Sequence, residues 1–298
     1  MRKCHLIKRL SVLKLALVIV LVSWACATLA ATRIDIPLPD GGTLPALLFT
    51  TGDTSVRTRP GVVVAAGAGG AKLIQYHTYC RKLAERNFVV LLIDAANFPE
   101  SLTPGPDTWR RMPYHIWSWV NHILVAARLT FGHDWYVGNV DAAVEYLRSL
   151  PSVDPRRIAL SGFSQSANAS LCYASGKNGK LRGLVWNNGG SPWIMPYDPS
   201  LLPPVLILHG EKDGVYGVEN ARKLSAQIQK EGRAVECSIY PEQRHMFMVY
   251  YDLTKPSDAE NQALTSSFER LCAFLSRTLS EGEPSPADVK KADDTIRK

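Results

Sequence analysis

The sequence predicts an α/β fold with a mostly parallel central sheet and helices on both faces. Three observations predict it. Continuous apolar runs of strand length recur at residues 61–66, 88–93 and 204–208, and runs without alternation belong to strands buried on both faces. Segments of helical period lie between them, at 74–86, 137–150 and 218–231. Strands that alternate with helices build parallel sheets, because each parallel crossover needs a dozen or more residues.

Taken in order, residues 33–50 predict a hairpin. Ile34, Ile36 and Leu38 alternate with polar neighbours, Asp40-Gly41-Gly42 turns the chain, and 44–49 returns. The strand at 61–66 runs into Gly67-Ala68-Gly69-Gly70, and the strand at 88–93 is closed by Asp94. Residues 97–133 break the rhythm with Pro99, Pro104, Pro106, Trp109, Trp117 and Trp119, as an aromatic insertion or lid would. On the next helix Val140, Ala143, Val144 and Leu147 share a face. Pro151-Ser152-Val153-Asp154-Pro155 predicts a turn, 157–160 a short strand, and 167–174 a helix. Strands at 184–186, 204–208 and 235–240 follow, and 259–279 is a final amphipathic helix. Residues 281–298 are polar and mixed in charge, a loose tail. The organisation expected is residues 1–31 as an export segment, 32–280 as one α/β domain, and 281–298 as a tail.

Residues 1–31 differ from the rest. Arg2, Lys3, Lys8, Arg9 and Lys14 precede an apolar run from 15 to 22, and small residues cluster at Ala25, Ala27, Ala30 and Ala31. This is the make-up of a secretory signal, which would place the mature chain outside the cell or in the periplasm. The uncharged stretch 15–31 is also compatible with an uncleaved membrane anchor, at the short limit of what spans ~30 Å of hydrocarbon. Without the five basic residues of this segment the formal net charge falls from +7 to +2. The mature chain therefore offers no basic surface for nucleic acid. Cys80, Cys172, Cys237 and Cys272 remain. They show no metal-ligand spacing and are expected to be buried thiols. An exported chain could oxidise them, and Cys80–Cys272 is then the expected pair.

One constellation carries chemistry. Serine attacks a carbonyl only when a base takes its proton and an acid orients that base. Its oxygen must also protrude from a sharp strand-to-helix turn with small residues two before and two after it. Gly162-Phe163-Ser164-Gln165-Ser166 has the strand before, the helix after and Gly162 at minus two. Ser166 stands where a second glycine is usual. Asp213 follows the strand at 204–208, where catalytic groups collect in open parallel sheets; Glu211 is the rival acid. His245 is the only histidine beyond Asp213 and follows the last strand. His209 is expected to brace the acid's loop. His77 lies on the first helix, and His115, His122 and His133 fall in or beside the insertion. An oxyanion needs fixed donors. The N–H of Gln165 and that of Ala68 are the candidates, with Gly69 as the alternative to Ala68. Gly67–Gly70 lacks the lysine-serine/threonine ending of a phosphate loop.

The order Ser164, Asp213, His245, together with Val62-Val63-Val64-Ala65-Ala66-Gly67, Asp141-Ala142-Ala143-Val144-Glu145-Tyr146-Leu147, Val153-Asp154-Pro155-Arg156-Arg157-Ile158 and His209-Gly210-Glu211-Lys212-Asp213, resembles the α/β-hydrolase superfamily over residues 33–280. Within it the chain is similar to the dienelactone-hydrolase-like and acetyl-esterase-like branch. The resemblance implies the α/β-hydrolase fold, serine-type hydrolysis of a small-molecule carboxylic ester through an acyl-enzyme, and neither metal nor organic cofactor. Two departures stand out. Many relatives carry histidine where this chain has Ala66, and dienelactone hydrolases proper carry cysteine where it has Ser164, so their lactone activity does not transfer. A prolyl-oligopeptidase-like peptidase and a non-catalytic binding protein on the same fold are the alternatives. Membrane association is expected only if residues 15–31 stay attached.

Overall fold

A computed structural model of the chain describes residues 31–51, 58–67, 70–72, 74–95, 133–176, 180–190, 196–249 and 257–280. The expected insertion at 97–133, apart from the backbone of His133, lies outside these residues. So do the polar tail and all of the export segment but Ala31.

The strands are β1 (Thr32–Pro37), β2 (Thr43–Phe49), β3 (Arg59–Ala65), β4 (Val89–Ile93), β5 (Val153–Phe163), β6 (Gly183–Asn187), β7 (Val205–Gly210) and β8 (Val235–Tyr240). They form one eight-stranded sheet in the order β1-β2-β4-β3-β5-β6-β7-β8. The hairpin partners β1 and β2 are antiparallel, as is β2 against β4. Every pairing from β4 through β8 is parallel. The helices are α1 (Ile74–Glu85), α2 (His133–Ser149), α3 (Gln165–Gly176), α4 (Glu219–Lys230) and α5 (Asp258–Thr278).

The period of two along each strand sorts the core into two layers. Val63, Ala65, Leu160, Trp186 and Ile207 point to the face covered by α2, α3 and α4. Val62, Val64, Ala159, Val185 and Leu206 point to the face covered by α1 and α5. The central strands are buried on both faces, which is why their sequences run apolar without alternation. Helix α3 is buried on every side along Gln165–Ser175, so its pattern is weakly amphipathic. Helix α5 starts with a capping box: Ser257 Oγ accepts from the Glu260 N–H and the Glu260 carboxylate accepts from the Ser257 N–H.

Two expectations need correction. Strand β5 begins at Val153, four residues before the short strand expected at 157–160. Val153 pairs with Arg59, the register then shifts, and pairing resumes at Gly61 with Ile158. Asp154 accepts from the Arg156 N–H at 3.0 Å and the Arg157 guanidinium at 3.1 Å, so its turn chemistry is spent inside an interrupted strand. The cysteines are the second correction. Cys80, Cys172 and Cys272 are buried free thiols, as expected, and Cys80 and Cys272 share a face of the sheet without pairing, but Cys237 is exposed rather than buried.

Candidate active site

The sequence around Ser164 builds a strained turn at the carboxyl end of β5. Ser164 has φ 55°, a left-handed conformation that costs a non-glycine residue about 1 kcal/mol or more. The turn is held from several sides. The Ser164 N–H donates to the Asn187 carbonyl at 2.9 Å, and the Asn187 amide donates to the Gly162 carbonyl at 2.9 Å. Phe163 is wedged edge-on between the rings of Tyr76 and Tyr79, at 5.2 and 5.3 Å. A Cβ on Gly162 would lie 2.3 Å from Ser170 Oγ, 2.6 Å from the Ser166 carbonyl and 2.8 Å from Ala167 Cα. Gly162→Ala is therefore expected to destabilise the chain by about 2 kcal/mol or more in urea unfolding, since the backbone atoms it meets cannot rotate away.

Ser166 does more than fit where a glycine is usual. Its hydroxyl donates to the Ala66 carbonyl at 2.6 Å and ties the start of α3 to the end of β3. The neighbouring Gly67 lies close to the Ser164 turn, with the position of an added Cβ 3.0 Å from Ser164 Cβ. Its N–H donates to the Tyr76 hydroxyl at 2.8 Å. Gln165 is the first residue of α3, where an N–H has no acceptor in its own helix and the helix dipole is positive. Ala68 and Gly69 lie outside the described residues.

Ser164, His245 and Asp213 converge from three separate segments. Ser164 Oγ is 3.0 Å from His245 Nε2, and His245 Nδ1 is 2.8 Å from Asp213 Oδ2. Asp213 is buried, Ser164 is 7% exposed and His245 is half-buried. The loops bearing Asp213 and His245 are laced together by backbone bonds. The Glu211 N–H donates to the Tyr240 carbonyl and the Lys212 N–H to the Gln243 carbonyl, each at 2.9 Å. Gly210 makes this approach possible, because a Cβ there would sit 2.4 Å from the Gln243 carbonyl oxygen. The rival acid Glu211 is exposed and accepts only a long 3.5 Å bond from the Glu242 N–H.

Asp213 is held as an anion. Its Oδ1 accepts from the N–H groups of Val215 and Tyr216 at 2.9 and 2.8 Å. Its Oδ2 accepts from the Asn188 amide at 3.1 Å as well as from His245. Burial pushes this carboxyl up, but the hydrogen bond and charge of His245, the Tyr216 N–H and the nearby His209 together outweigh it, and it lies below the usual carboxylate range. With Nδ1–H of His245 donated to this anion, Nε2 is left as the acceptor for the Ser164 proton.

His209 braces the acid's loop. It is fully buried, stacks on Trp186 with centroids 5.8 Å apart, and its Nε2 sits 2.8 Å from the Tyr216 carbonyl and 3.4 Å from Asp213 Oδ2. Burial lowers its pKa, so it is the neutral ring that donates to the carbonyl. His77 Nε2 bonds the Ala71 carbonyl, away from this cluster. His115 and His122 lie outside the described residues. The buried thiols do not compete as nucleophiles, since burial pushes Cys172 and Cys272 up to about 11. Among the described residues no group of His, Cys, Asp and Glu has the arrangement of a metal site, and no helix is long and apolar enough to cross a membrane. Sequence reasoning missed Asn188 and Tyr216. Both lie beside catalytic candidates, but neither belongs to a spaced motif.

Comparison with known proteins agrees with this architecture. A family model described as the dienelactone hydrolase family matches residues 44–279. Among curated relatives, a carboxymethylenebutenolidase-like protein of Methylorubrum extorquens is 26% identical over 123 residues, which is 39% of this chain and 42% of the relative. The chain thus spans under half the length of the curated relatives it matches. Among solved structures, a dienelactone hydrolase-like protein from Klebsiella pneumoniae superposes with a TM-score of 0.65 at 17% identity, covering 84% of this chain and 99% of that one. An esterase from Pyrobaculum calidifontis superposes with a TM-score of 0.60 at 17% identity, covering 83% and 85%.

Proposed function

The chain belongs to the dienelactone hydrolase family, an α/β-hydrolase family of enzymes acting on esters, and from that premise we propose that it is an exported serine hydrolase that cleaves a small-molecule carboxylic ester through a Ser164–His245–Asp213 triad. The observation that carries this reading is the unbroken hydrogen-bond chain from Ser164 Oγ through His245 to Asp213, at 3.0 and 2.8 Å. Ser164 Oγ attacks the acyl carbon as its proton passes to His245 Nε2, and Asp213 stabilises the imidazolium. The N–H groups of Gln165 and Ala68 hold the oxyanion. The engagement of the Gly67 N–H by Tyr76 supports looking beyond Gly67 for the second donor. The alcohol leaves with the proton from His245. Water, deprotonated by the same ring, then releases the acid and restores Ser164. The export part of the reading rests on the basic, apolar and small-residue order of residues 1–31.

The test is to treat the exported form with a fluorophosphonate probe and with 4-nitrophenyl acetate and butyrate, a lactone and a proline-containing peptide. Label on the peptide containing Ser164, with turnover of the aryl esters, is the result expected. A protein that neither labels nor hydrolyses any ester is a binding protein on this fold, and one that cleaves only the peptide is a peptidase; either ends the proposal.

A further inference from the structure

Both polar groups of one buried peptide unit, Ala66–Gly67, are taken by side-chain hydroxyls. Ser166 Oγ donates to the Ala66 carbonyl at 2.6 Å, and the Gly67 N–H donates to the Tyr76 hydroxyl at 2.8 Å. Ser166 sits on α3 and Tyr76 on α1, helices on opposite faces of the sheet, and both side chains are fully buried. The groups on either side are engaged too. The Ala66 N–H donates to the Ile93 carbonyl, and the Gly67 carbonyl accepts from the Gly70 N–H, each at 2.9 Å. The ladder between β3 and β5 ends at Ala65 opposite Gly162, so the Ser166 bond ties the two chains together just past its last rung.

We propose that Ser166 and Tyr76 are positioning residues for the oxyanion hole, which lock the Ala66–Gly67 peptide plane between them and so fix the donor on the loop after β3 relative to the donor on α3. This assignment rests on the serine-hydrolase reading above. The two donors neighbour the clamp in the chain: Gln165 precedes Ser166, and Ala68 follows Gly67. Only the two torsions of Gly67 separate the clamped peptide unit from the one that carries the Ala68 N–H.

Gly67 explains why a clamp is needed. A Cβ there would lie 3.0 Å from Ser164 Cβ and 3.3 Å from the Phe163 carbonyl, so the approach to the nucleophile favours glycine. Glycine leaves the backbone free to turn, and an oxyanion donor contributes fully only when it is fixed before the charge develops. A peptide unit held at one group pivots about that bond; held at both, it does not. The glycine usual at position 166 has no hydroxyl to give. The clamp acts on the charged state, which forms in both half-reactions, so it favours kcat over substrate binding.

The test uses trifluoromethyl butyl ketone labelled with carbon-13 at its carbonyl, bound to the exported form, Ser166→Ala, Ser166→Cys and Tyr76→Phe. Ser164 Oγ bonds to the carbonyl carbon, its proton passes to His245, and the carbonyl electron pair moves to the oxygen. The pH at which that hemiketal oxygen ionises, followed by NMR, therefore reports the oxyanion donors directly. Ser166→Ala and Tyr76→Phe should each raise it by about one unit and lower kcat on 4-nitrophenyl acetate about tenfold, with KM within about twofold. The double variant should be little worse than either, because one lost bond already frees the peptide unit. Ser166→Cys keeps the side-chain volume but donates weakly, so it should resemble Ser166→Ala; a packing role predicts that it resembles the wild type. The adduct is read in folded protein, so poor folding of one variant leaves the others to decide. An unshifted hemiketal ionisation, a loss confined to KM, or Ser166→Cys equal to wild type each overturns the assignment while leaving the triad in place. A wild type that forms no hemiketal overturns the hydrolase reading and this assignment with it.

Discussion

Ser164→Ala is expected to lower ester turnover by about four to six orders of magnitude and to abolish labelling by a fluorophosphonate. Ser161 and Ser166, the other two serines of this strand-to-helix segment, cannot substitute. Ser161 and Ser166 spend their hydroxyls beneath the turn, in bonds with Asn187 and Tyr79 for the first and with the Ala66 carbonyl for the second. The fold should survive, because the bond from the residue 164 N–H to the Asn187 carbonyl does not involve the side chain. Circular dichroism and kcat on 4-nitrophenyl acetate, measured together, check both halves. The backbone at this position supplies an internal control. With φ at 55° either serine or alanine is strained, whereas glycine is not. Ser164→Gly should be as inactive as Ser164→Ala yet more stable than it by about 1 kcal/mol in urea unfolding. Equal stability would mean that the turn is relaxed in solution.

The elements that could be read from the sequence are those whose burial is uniform. Strands at Val89–Ile93 and Val205–Gly210 carry unbroken apolar runs, 89–93 and 205–208, because helices cover both faces, and their ends fall within a residue or two of expectation. Strand β5 was harder to read because Asp154 and Pro155 carry a turn's chemistry, and only the register shift against β3 shows that chemistry accommodated inside a strand. Ser164, Asp213 and His245 were legible because strand ends place catalytic groups and because their order along the chain is constrained. Ser166 looked like a mere departure from glycine, since its bond to Ala66 joins residues a hundred apart. Tyr216 and Asn188 gave no pattern at all. They reach the site through loop geometry after β6 and β7, and a side chain's direction from a loop is set by tertiary contacts rather than by period.

Asp213→Asn should cost about four orders of magnitude in kcat without removing any atom from the site, and the reason is which way the amide must face. At Oδ1 two backbone N–H groups, from Val215 and Tyr216, require an acceptor and cannot turn. The new carbonyl is therefore held there, and the NH2 is forced to the Oδ2 position opposite His245. Asn188 can accommodate this by flipping, since its own Oδ1 is buried without a partner and would accept the new donor. His245 can accommodate it only by presenting Nδ1 as an acceptor, which puts its proton on Nε2 and leaves Ser164 facing a donor in place of a base. Glu211→Gln, at the exposed rival acid, should stay within about twofold of wild type, because exposed substitutions away from such contacts change little. The same substitution has a pH signature. The Asp213 carboxyl titrates below its unfolded value, so its charge stabilises the fold above the unfolded pKa of about 3.9 and that contribution is lost as pH falls through the folded value. The stability gap between wild type and Asp213→Asn should thus be widest at neutral pH and close as the pH drops below about 4. Urea midpoints that differ by the same amount at neutral pH and at acid pH would show that Asp213 is not held as an anion by these contacts.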